Sequence, residues 1–367
     1  MRRQGHQTFV EELARFAAGA ADGRLTAVAE RAAAPMRVAV CGRRGVGCPT
    51  VARALNRAGI ASGISAQVTA PTDAADPDVD SDTDLVVYVT AEVVKPEDSR
   101  AIQAIAAARR PVLAVLNKAD VAGFAGDGPI ALARARCAHF SALVGVPMEP
   151  MVGLLAVAAL DDLLDDASWA ALRKLADIAN FDAPFEGSFE GFLAFPAADD
   201  PVPADVRLRL LDTLDLFGVA LAVAAVRQGK TAAQVRALLR RVSGVDAVLD
   251  KVAAGGAEVR YRRVLDAVAE LEALAVSHDE ISGRIGEFCS RDATVIARMA
   301  AAVDLAESTG LEVGSCPDPA AHLAQALRWQ RYSLGRLGPV SAVHRACGAD
   351  IARGSLRLWS QAGGESR

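Results

Sequence analysis

Apolar residues along the chain repeat with two different periods, and the change of period divides it. Between residues 8 and 34 they recur at helical spacing, with Phe9, Val10, Leu13, Phe16 and Ala17 on one face. Thr8 and Glu11 read as a capping box at the start, Gly23 as a break into two helices, and Pro35 as the end. From 36 to 160, short apolar runs alternate with helical patterns. Strands are expected at 36–41, 64–69, 85–90 (LVVYVT), 111–116 (PVLAVL) and once within 146–160, with helices at 49–57, 95–110 and 129–144. Strands alternating with helices make a mostly parallel, doubly wound sheet. From about Ser168 the strand pattern stops, and helical patterns cover 203–228, 231–242, 245–253, 257–276, 278–309, 319–334 and 339–360. Thr231 with Gln234 reads as a second capping box, and Ser243-Gly244 as a helix stop. Four parts are predicted: helices at 1–34 packing with the C-terminal helical region, a sheet domain at 35–167, a junction at 168–202 expected to pack against both main parts, and a helical domain at 203–367.

Composition narrows the class. With 367 residues, 52% of them hydrophobic and 23% charged, the chain has apolar surface for substantial cores. A formal net charge of -5 gives no electrostatic reason to expect nucleic acid as a partner. The six cysteines show no CxxC spacing, and MRRQGHQTFVEEL lacks the apolar core of a signal peptide, so a cytoplasmic chain with reduced thiols is expected. The apolar runs at 151–160 and 216–226 fall short of the roughly 20 residues that a spanning helix needs. The second, LFGVALAVAAV, is apolar around its whole circumference, the pattern of a helix buried in a bundle.

The clearest chemical signal lies in MRVAVCGRRGVGCPTVARAL, residues 36–55, a strand, a glycine-rich loop and the start of a helix. Gly42, Gly45 and Gly47 stand where backbone must turn tightly, and a helix opening at Pro49 would aim free N–H groups and its positive dipole end at an anion. Gly42 and Gly47 keep the spacing of the GxxxxGK[ST] phosphate loop, but Cys48 holds the lysine position and Pro49 the hydroxyl position. Pro49 also lacks an N–H. Cys48 is expected to be a small buried residue rather than a reactive thiolate. After the fourth strand, at the carboxyl end of the sheet where such folds bind ligands, stands Asn117-Lys118-Ala119-Asp120. Asn117 and Asp120 also have a purely structural reading, as helix caps.

Other chemistry is not encoded. The acidic stretch 70–84 reads as an exposed loop, and a calcium loop starting at Asp78 would find Thr83 and Val89 in place of its Gly and Glu, so no metal is expected. The five histidines show no HExxH spacing, and no GxSxG elbow occurs.

GRRGVGCPT at 42–50 resembles the GRRGVGKST loop of Era-like and dynamin-like GTPases, and NKAD at 117–120 is similar to their guanine-reading NKxD motif without departure. The motif resemblance spans about residues 35–165; for the flanking helices the dynamin comparison is one of layout. It implies an α/β P-loop GTPase-like domain followed by an all-α helical domain, with GTP or GDP as ligand. The implied nucleotide contacts are Gly42, Arg43, Arg44, Gly45, Val46, Gly47 and Thr50 at the phosphate loop. Asn117 would meet the base edge, the Lys118 stem would lie along the ring, and Asp120 would accept from guanine N1 and its exocyclic amine.

The departures matter as much. Without the lysine and the hydroxyl, magnesium is not held in the usual way, and losing two charge-assisted hydrogen bonds of roughly 1.5 to 3 kcal/mol each weakens phosphate binding about 10² to 10⁴ fold. Arg43 or Arg44 folding inward is the one local substitute for that charge. No DxxG switch occurs in 51–84, and Thr69, Thr72 and Asp73 do not replace one. Ser141-Ala142-Leu143 matches the fifth guanine element in letters but precedes the last strand, on an expected helix. No residue is assigned a catalytic role. The expected function is that of a GTPase-like protein with weak or absent nucleotide binding and impaired hydrolysis, acting as a regulatory or structural partner of its own copies or of a related active GTPase. Two alternatives stand beside it: a slow, atypical dynamin-like GTPase, and a helical scaffold lying peripherally at a membrane surface.

Overall fold

The computed structural model describes residues 5–69, 82–123, 128–178, 189–193, 202–314 and 319–364. Two helices open the chain, α1 (Gly5–Ala20) and α2 (Gly23–Ala33). The Thr8 and Glu11 pair does not start α1. The helix begins earlier because the Asp304 carboxylate accepts from Gly5 N at 3.0 Å, supplying from a distant helix the cap that a local box would give. The break falls at Ala21 (φ 53°), and Asp22 caps α2 by accepting from Arg24 N at 2.9 Å, which makes Gly23 the first helical residue rather than the hinge.

Strands and helices then alternate: β1 (Met36–Gly42), α3 (Cys48–Gly59), β2 (Ile64–Val68), β3 (Leu85–Ala91), α4 (Pro96–Ala107), β4 (Val112–Asn117), α5 (Pro129–Val144), β5 (Met148–Pro150) and α6 (Gly153–Leu160). All five strands are parallel, in the order β2-β1-β3-β4-β5. Val38 lies opposite Leu85, Val86 opposite Val112, and Ala114 opposite Met148. Residues 85–90 of β3 are buried without interruption, as helices on both faces of a parallel sheet require. The apolar LLAVAAL that follows the three-residue β5 is helix α6, since a short run without polar punctuation carries no period of its own.

The remaining elements are helical: α7 (Asp166–Ala176), α8 (Phe189–Leu193), α9 (Ala204–Arg227), α10 (Ala232–Ser243), α11 (Val245–Gly255), α12 (Ala257–Ser277), α13 (Asp279–Ser290), α14 (Asp292–Ser308), α15 (Pro319–Ser333) and α16 (Ala342–Gly364). The capping box of α10 forms, with Gln234 N donating to Thr231 Oγ1 at 3.4 Å and Thr231 N to Gln234 Oε1 at 3.0 Å, and Gly244 (φ 76°) stops the helix. The single helix expected over 278–309 is two, parted where Arg291 turns extended (ψ 140°) with no Gly or Pro to announce it.

Contacts divide the chain into two compact units, Arg37–Val252 and Met1–Met36 with Ala253–Arg367. The helices expected to form one domain from 203 are therefore shared out. In the first unit, Leu210, Leu214 and Val219 of α9 and Leu239 of α10 join Tyr88 and Leu155 in one core, which is where the 216–226 run is buried. In the second, Phe9, Leu13 and Leu25 join Tyr261, Phe288 and Trp329. Of the junction, Phe192 is buried in the sheet unit, and Arg207 donates to the carbonyls of Leu193 and Val202 at 3.0 and 3.1 Å. Most of the junction and residues 70–81 of the acidic stretch lie outside the described residues. Among the described residues no helix is long and apolar enough to cross a membrane.

Candidate functional site

β1 ends at Gly42, where a Cβ would stand 2.3 Å from the Val89 carbonyl oxygen of β3, so the two strands can close together only over a glycine. Gly45 (φ 84°) and Gly47 (φ 92°) are left-handed, and a Cβ on Gly47 would meet Asn117 Nδ2 at 2.4 Å. Cys48 is the first residue of α3 and Pro49 the second, one position later than expected and still within the turn whose N–H groups lack helical partners. β1 has β2 on one side and β3 on the other. The loop at 43–47 thus sits where the strand order reverses, the crevice in which open α/β sheets bind ligands.

Asn117, at the end of β4, holds this loop in place. Its Nδ2 donates to the Val46 carbonyl at 2.9 Å, and its Oδ1 accepts from Gly153 N at 2.9 Å at the start of α6. With the side chain 3% exposed, both bonds are shielded from water. Ala119 N donates to Met151 O at 3.1 Å and draws the next residues to the end of β5. Lys118 (φ 56°) is exposed and Asp120 is buried. Burial pushes the Asp120 carboxyl above the usual carboxylate range and the Asp215 carboxylate adds to it, while the residue's own N–H and Lys118 oppose the shift. Asp215 is itself the kink of α9 (φ 57°, ψ 175°), its side chain accepting from Leu216 N at 2.6 Å.

Beyond β5 the chain closes on itself. Val152 N donates to the Ser243 carbonyl at 2.9 Å, and a Cβ on Gly244 would lie 2.5 Å from the Pro150 carbonyl oxygen. The glycine that stops α10 is also what lets α10 reach the sheet. Ser141-Ala142-Leu143 lies on α5, ahead of β5.

Arg43 is tied to the start of α4. Its Nε donates to Asp98 Oδ1 at 2.8 Å, the Tyr88 hydroxyl donates to the same oxygen at 3.0 Å, and Lys95 N donates to Oδ2 at 2.9 Å. Asp98 has no exposed surface, and the Arg43 guanidinium is the cation paired with it. Arg44 is exposed, and Thr50 is half-buried with its methyl 3.3 Å from where a Gly153 Cβ would stand. Burial pushes the Cys48 thiol up to about 11, which leaves it protonated at neutral pH. Among the described residues no group of three or more His, Cys, Asp or Glu side chains is disposed to hold a metal.

Asp98, Gly153, Asp215 and Ser243 carry weight here that sequence reasoning did not assign. Asp98 had a local signal, since Pro96-Glu97-Asp98 is an ordinary helix start, but its partner stands 55 positions away. Asp215, inside an otherwise helical pattern, had none. No family model and no curated protein matches the chain. Its function has to be read from these side chains.

Proposed function

We propose that the sheet unit is a GTPase-like frame from which the phosphate chemistry has been removed, and that the protein acts through its surfaces as a regulatory or structural partner, its own copies or a related active GTPase being the partner class. The observation that carries this reading is Asn117. It joins the glycine loop, the NKAD segment and the start of α6 through two buried hydrogen bonds, so the two motifs that carry the resemblance meet in one place. At the phosphate end nothing equivalent survives. Cys48 is a protonated thiol, Pro49 has no N–H, and Arg43, the nearest substitute cation, is held by a buried carboxylate. At the base end, burial and the Asp215 carboxylate hold the Asp120 carboxyl above the usual carboxylate range.

The test is a titration of the full chain with a fluorescent GDP analogue, with and without magnesium, beside an adenine analogue and Asp120→Ala. The proposal expects binding about 10² to 10⁴ fold weaker than an intact loop gives and indifferent to magnesium. Tight, magnesium-dependent, guanine-selective binding that Asp120→Ala abolishes would instead favour the slow GTPase.

A further inference from the structure

The helices α15 and α16 and the turn between them carry six arginines, Arg328, Arg331, Arg336, Arg345, Arg353 and Arg357, against one acidic residue, Asp350. Asp350 is buried, with its oxygens taken by Tyr261 and Arg298 at 2.8 Å each. The solvent-facing charge of this pair is therefore wholly positive on a chain whose formal net charge is -5. Arg353 and Arg357 reach carboxylates, Asp350 at 3.7 Å and Asp292 at 3.3 Å. Arg328, Arg331, Arg336 and Arg345, around the turn that joins the helices, form no ion pair among the described residues.

The turn itself presents apolar side chains. Leu334 and Leu337 are each 60% exposed, and Leu327, on the face of α15 that leads to Leu334, is 50% exposed. This exposure is built into the backbone. Gly335 (φ 69°) ends α15 in the left-handed conformation, Arg336 N donates to the Arg331 carbonyl at 3.0 Å, and Gly335 N to the Tyr332 carbonyl at 2.9 Å. In such a helix ending the residue after the glycine normally folds an apolar side chain back onto the helix. Here that position is Arg336, and the two leucines on either side point to solvent. Exposed apolar side chains with Arg331 and Arg336, which form no ion pair among the described residues, within a few residues match a surface with phosphate outside and hydrocarbon beneath.

We propose that the α15–α16 turn docks on an anionic lipid bilayer, Leu334 and Leu337 entering the acyl boundary while Arg331, Arg336 and Arg345 bind headgroup phosphates. The inference is independent of the nucleotide reading, which concerns the other unit. It also differs from a membrane role for the 216–226 run, which is core.

The test is co-sedimentation of the full chain with vesicles of phosphatidylcholine alone and with vesicles rich in phosphatidylglycerol. The chain is expected on the second and not the first, with binding falling as salt rises. Leu334→Ser with Leu337→Ser should weaken it about tenfold or more, and Arg331→Gln, Arg336→Gln and Arg345→Gln together about 10² fold. All five side chains are on the surface, so circular dichroism and melting temperature should match the wild type; the single leucine changes serve if the pair alters either. Absence of binding to anionic vesicles, or equal binding to both kinds, overturns the proposal. So does full binding by the leucine variant, which would mark a site for a soluble polyanion such as an acidic protein.

Discussion

Asn117 makes two hydrogen bonds that no other side chain of its size could make together. Replacing it with alanine leaves the Val46 carbonyl and the Gly153 N–H buried without partners, at about 1 to 3 kcal/mol for each group. Urea unfolding of Asn117→Ala should therefore show a loss of about 2 to 4 kcal/mol, whereas a solvent-facing asparagine would cost almost nothing. His6 gives a second prediction. Its ring nitrogen Nε2 lies 3.1 Å from the Ala32 carbonyl, and burial, with Arg260 and Arg263 nearby, lowers its pKa from 6.5 to about 4. The folded pKa lies below the unfolded one, so the unfolded chain binds more protons between the two values and stability falls as pH drops through that window. His6→Gln removes the penalty, and its stability relative to wild type should rise by about 2 to 3 kcal/mol between pH 7 and pH 4.5 in urea titrations. At this scale the sequence was legible where chemistry is written in consecutive letters, as in the loop glycines and NKAD. It was silent on Asn117's partners, which stand 71 and 36 positions away, because a single side chain's hydrogen bonds leave no periodic trace.

At the scale of elements, the loop after β1 and the start of α4 are locked together by Arg43 and Asp98. Arg43→Ala strands a carboxylate with no exposed surface and should destabilise the protein by about 3 to 5 kcal/mol, while Arg44→Ala, one position on and exposed, should stay within about 0.5 kcal/mol of wild type. Equal, small effects in thermal and urea melts would mean that Arg43 is a free loop side chain, available to an anion. Most elements were readable because their period was unmixed: the buried run of β3, the helix at 129–144, and the box and glycine that bound α10. The errors fell where local signals compete with distant ones. α1 takes its cap from Asp304, and Arg291 breaks a helix without a breaker residue.

For the whole molecule, amphipathic patterns say that a helix face is buried but not against what, which is why α9 and α10 were assigned to a helical domain and belong to the sheet's core. Gly218 shows the physical reason, since a Cβ there would meet Leu155 Cδ2 of α6 at 2.4 Å, a fit that only three-dimensional packing reveals. The sheet unit is proposed to keep a nucleotide frame whose phosphate chemistry is gone. Calorimetric titration of the full chain with magnesium and GTP, run beside the Cys48→Lys, Pro49→Ser double variant, tests it most directly. The wild-type chain is expected to bind weakly and without regard to magnesium, and the variant to give a magnesium-dependent isotherm about 10² fold or more tighter. A wild-type isotherm as tight as the variant's would contradict it.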